Sequence, residues 1–107
     1  MDKNKEVIIA ALNETGKFER VSVVYPDDFT VLPCAVISET KTPVWADDMV
    51  YRWNSQYNVY IWAKGAEEAE GLSEAVMEAL HGIGLVVSSV ADAPEAGLFR
   101  KTLGFYG

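Results

Sequence analysis

The most patterned stretch of the chain is YRWNSQYNVYIWAK, Tyr51 to Lys64, where alternate residues separate into two faces. Tyr51, Trp53, Ser55, Tyr57, Val59, Ile61 and Ala63 make one face, which reads as core. Arg52, Asn54, Gln56, Asn58, Tyr60, Trp62 and Lys64 make the other, polar at its start and aromatic towards its end. A strand is predicted over the whole stretch, and Tyr60 and Trp62 then need a cover that a half-wet sheet does not supply.

The remaining pattern fills in an order of elements. Val7, Ile8, Ala11 and Leu12 form a helical stripe between Asp2 and about Thr15, stopped by Gly16. FERVSVVYP alternates as a half-exposed strand ended by the turn residues Pro26-Asp27-Asp28, and FTVLPCAVISE is apolar enough to be covered on both faces, with a bulge or edge expected at Pro33. Lys41 to Met49, KTPVWADDM, follows neither period and is predicted to be a loop, which leaves Trp45 as an unpatterned tryptophan. Ala69, Leu72, Val76, Ala79, Leu80 and Ile83 recur at helical spacing after an acidic start, and Gly82 or Gly84 supplies the stop. LVVSSVADA and LFRKTLGFY are two last strands, joined through Pro94-Glu95-Ala96-Gly97. The order α-β-β-β-α-β-β predicts an α+β fold: a mostly antiparallel sheet of four to five strands with two helices on one face.

Composition narrows the function classes. The 107 residues make a single domain, 1–107, with ordinary globular values of 50% hydrophobic and 23% charged residues. A net charge of −7 argues against a phosphate-backbone partner. No stretch approaches a membrane span and the N-terminus does not read as a secretory signal, so a cytosolic protein is expected. Cys34 is the only cysteine, in an apolar run, and reads as a small buried hydrophobe. His81 is the only histidine, placed where its partial charge suits a helix C-terminus. Asp27-Asp28, Asp47-Asp48 and Glu67-Glu68 are adjacent pairs without the spacing of a cation-binding loop. No catalytic, metal-binding or cofactor-binding residues are expected. Apolar and aromatic surface remains, and Tyr60 and Trp62 are expected either at a contact with another subunit, with Arg52 and Lys64 beside them, or under the chain's own elements.

The layout resembles the tail completion, or tail terminator, proteins of long-tailed bacteriophages. The resemblance is carried by the short N-terminal helix, the strand LPCAVIS, an irregular loop, the long strand YRWNSQYNVYIWAK, the helix LSEAVMEALHGIG and the final AGLFRKTLGFYG. It spans nearly the whole chain but rests on element order and apolar placement, since the family has no invariant catalytic motif. It implies a virion protein made in the host cytoplasm that forms a hexameric ring at the head-proximal end of the tail, with no cofactor and no enzyme activity. Its implied partners are other copies of itself, the tail tube protein and the head connector protein. On this pattern the segment Thr40 to Val50, with Trp45, Asp47 and Asp48, is expected to reach the tube or the ring lumen. Other classes compatible with the sequence are a head-completion or minor capsid protein and a dimeric α+β domain that binds a ligand at its seam.

Overall fold

Five strand-forming segments and two helical stripes build one sheet with both helices on one face. The computed structural model describes residues 5–23, 32–92 and 99–106. Its elements are α1 (Lys5–Glu14), β1 (Arg20–Ser22), β2 (Cys34–Ala46), β3 (Met49–Ala63), α2 (Ala66–Gly82), β4 (Val86–Asp92) and β5 (Phe99–Tyr106). The sheet order is β1-β2-β3-β5-β4, with β1 parallel to β2 and every other pair antiparallel. This is the α+β fold and the element order that the patterning predicts. The expected turns at Pro26-Asp27-Asp28 and Pro94 to Gly97, and the start of FTVLPCAVISE, lie outside the described residues.

The core lies between the sheet and both helices. Ile8 and Leu12 of α1 and Ala69, Leu72, Val76 and Leu80 of α2 pack on Ala35, Ile37, Tyr57, Val59, Ile61, Leu103 and Phe105. Each Leu, Ile or Val closed off here contributes roughly 1.5–3 kcal/mol of burial, more than the intrinsic helix propensity of any one residue. Helix α2 ends as its glycines suggest. Gly84 takes φ 91, its N–H donates to the His81 carbonyl at 3.0 Å, and the Leu85 N–H donates to the Leu80 carbonyl at 3.0 Å. This satisfies the last carbonyls and drives Leu85 into the core, where it is 1% exposed.

Three local expectations are corrected. Lys41 to Met49 is the distal part of a long β2–β3 hairpin and no loop, because Asp47 and Asp48 alone make its turn. Pro33 precedes β2 instead of bulging it, and its carbonyl accepts from the Glu19 N–H at 2.9 Å. Tyr51 and Trp53, assigned to the core by alternation, are 73% and 58% exposed. Trp53 keeps the face that alternation assigns, but the strand runs past the helices that would cover it.

Candidate functional site

The hairpin is positioned by an uneven sheet. β2 and β3 pair from Cys34↔Trp62 out to Ala46↔Met49, whereas β1 pairs only as far as Val36 and β5 only as far as Gln56. Beyond those limits β2 and β3 have no lateral strand among the described residues. Six residues past Lys41 and Ser55 reach the tip, an arm of roughly 20 Å at strand rise, on a molecule 49 Å in its longest dimension. Asp47 and Asp48 close it with φ 51 and 64, the two left-handed residues of a turn whose twist matches the flanking strands. Pro43 is tolerated because, among the described residues, no strand lies on the outer side of β2 at that point.

Exposed apolar side chains crowd this arm. Trp45 is 62% and Met49 72% exposed, beside the Tyr51 and Trp53 values above. Pairing assigns their faces, since cross-strand partners share a side. Pro43↔Trp53 and Trp45↔Val50 lie on the helix side of the sheet, in line with Tyr57 and Val59, while Val44↔Arg52 lies on the opposite side with Tyr60 and Trp62. A register shift between Val44 and Trp45 makes Tyr51 the extra residue of a bulge. The helix-side apolar stripe therefore continues onto an arm where neither helix follows it.

The residues expected at a subunit contact do not form one surface. Arg52 is exposed on the arm, and Lys64 is exposed twelve residues away at the far end of β3, roughly 40 Å along the strand. Trp62 is fully buried inside its own chain with Cys34 and Val36, and Tyr60 is half-buried against them. The expected open face is thus corrected at Trp62: its indole offers no surface to another subunit in this fold. Tyr60 lies 6.3 Å from Trp62 between ring centroids, and the Arg100 guanidinium sits 5.8 Å from the Tyr60 ring centre. Burial pushes the Cys34 thiol above its ordinary value, with Arg20 opposing, so this thiol is poorly nucleophilic.

Sequence inspection missed a second feature. Lys101 falls on the helix side of β5, between Phe99 and Leu103, and its side chain is 8% exposed. Its Nζ makes ion pairs of 2.7 Å with both Glu70 of α2 and Asp92 of β4. Hydrogen bonds that its ammonium donates to Asp92 and then to Glu70 hold its pKa above the ordinary lysine value, against the opposing effect of burial. Beside it is a cavity of about 200 Å³ lined by Ala66, Ala69, Glu70, Asp92, Phe99, Arg100 and Lys101. The signal was present in the sequence: FRKTLGFY places one lysine on the face of Phe99, Leu103 and Phe105.

Asp47 and Asp48 are exposed turn residues, and among the described residues no three His, Cys, Asp or Glu side chains are grouped to hold a metal ion. Among the described residues no helix is long and apolar enough to cross a membrane. Comparison with protein-family models gives no match, and comparison with curated proteins gives none either.

Proposed function

We propose that this protein is a ring-forming tail terminator, which caps the tail tube of a long-tailed bacteriophage and offers a docking face to the head connector. The observation that carries the proposal is the projecting hairpin with Trp45, Met49, Tyr51 and Trp53 exposed along it. Large apolar side chains held in water on a two-stranded arm are what an assembly protein uses as interface anchors. The small acidic domain and the resemblance in element order support the same role. In it, the arm tip with Trp45, Asp47 and Asp48 meets the tube. Partners are further copies of the chain, the tube protein and the connector protein, and no catalysis is assigned.

Tube assembly in the presence of the purified protein tests this. Tubes polymerised with the wild type should stop growing and carry a cap at one end in electron micrographs. Trp45→Ser with Tyr51→Ser should keep the fold and let tubes elongate unchecked. A wild type that leaves tube length unaltered would remove the proposal, and equal capping by the variant would remove the arm from it.

A further inference from the structure

We infer that the stem of the arm docks into the Lys101 cavity of the next copy, in a head-to-tail contact. This rests on the ring-forming role and specifies its seam.

The cavity and the arm lie at opposite ends of the same strand. The arm tip adjoins Met49, at the start of β3, while Phe99 pairs with Ala63 at its end and Ala66 opens α2 just beyond. Fourteen residue steps separate Met49 from Ala63, roughly 46 Å of extended chain, so the arm cannot fold back onto the cavity of its own chain. Another copy's arm can reach it. Two different patches that fit each other on one molecule give a heterologous contact, which closes into a ring when the rotation between copies allows.

The chemistry of the two patches is complementary. On the helix side of the arm stem stand Trp53, Pro43 and, one pair nearer the body, Lys41, which pairs with Ser55 and is exposed. In the cavity, Ala66, Ala69 and the 41% exposed ring of Phe99 offer an apolar floor on the scale of one aromatic side chain. Glu70 and Asp92 form its rim, with side chains 60% and 70% exposed although each already holds Lys101. Arg100 also lines the cavity, but its guanidinium sits against the Tyr60 ring on the other face of the sheet, so one ammonium against two carboxylates leaves the rim net negative, and Lys41 of the incoming arm supplies the second cation. The Trp53 ring meanwhile covers Phe99 and receives from the neighbour's α2 the helical cover its own chain does not give it. Glu67 and Glu68, exposed in the first turn of α2, repel Asp47 and Asp48. The arm therefore lies across the cavity with its tip outside, open to the tube.

Disulfide trapping between two exposed positions reads this contact directly, in a Cys34→Ala background. A Trp53→Cys chain mixed with an Ala66→Cys chain and oxidised should give a cross-linked dimer containing one chain of each kind. The chain carrying both substitutions should give a ladder of covalent oligomers. Adding Lys41→Glu should lower the mixed yield several-fold, whereas Lys41→Arg should not. Absence of the mixed dimer, or dimers made only of Trp53→Cys with itself, would overturn the inference. If rings still form without the mixed cross-link, the seam is wrong and the tube-capping role stands. If the cross-link forms but no tube is capped, the seam stands and that role falls.

Discussion

Lys101 occupies a position that the alternation of its own strand reserves for an apolar residue. Its ammonium stays charged there because two carboxylates from separate elements meet it, and each removes part of the cost of burial. Glu70→Gln and Asp92→Asn should each cost about 1 kcal/mol in urea unfolding, and the double change more than their sum, since it leaves a buried ammonium uncompensated. The folded pKa is raised, so this stabilisation is complete below the unfolded value and is lost as pH rises through the folded one. The wild type should accordingly lose stability relative to Lys101→Met only above the ordinary lysine value of 10.5. Trp62 gives the opposite lesson. Alternation put it correctly on the face away from the helices, but its burial there beside Cys34 and Val36 depends on a strand pairing that no local pattern reveals. Trp62→Ser should cost about 3–5 kcal/mol in the same measurement, while Trp45→Ser should stay within about 0.5 kcal/mol.

Among elements, the two helices were legible and the hairpin was only half so. Stripe and stop signals agreed for α1 and α2, because both bury one face and end at glycine. The Lys41 to Met49 segment hid its strands for two physical reasons. Pro43 reads as a breaker unless the strand is known to be an edge, and Asp-Asp lacks the glycine that usually marks a two-residue turn. Asp47→Asn with Asp48→Gly suits both left-handed positions better and should stabilise the hairpin by roughly 0.5–1 kcal/mol, seen as a higher melting temperature. A second close fit lies at β4, whose register shifts between Val87 and Ser89 opposite Gly104. A Cβ at Gly104 would stand 2.7 Å from the Ser89 Oγ and 3.0 Å from the Ser88 Oγ, so Gly104→Ala should cost about 1 kcal/mol or more and loosen β4 in hydrogen exchange.

For the whole molecule, the sheet carries more apolar surface than its two helices cover. Alternation assigned the need for a cover to Tyr60 and Trp62, on the face away from the helices, when the uncovered residues are Trp53 and Tyr51, which it had assigned to the core face. Strand length relative to the neighbouring elements decides which is which, and length is a property of the assembled sheet that periodicity does not encode. The exposed apolar side chains of the arm are the feature on which the proposed assembly role rests. Native mass spectrometry of the wild type over a wide concentration range counts the copies directly. A ring-forming cap predicts a hexamer as the terminal species, growing at the expense of monomer as concentration rises. A monomer at every concentration, or a dimer that grows no further, would contradict it.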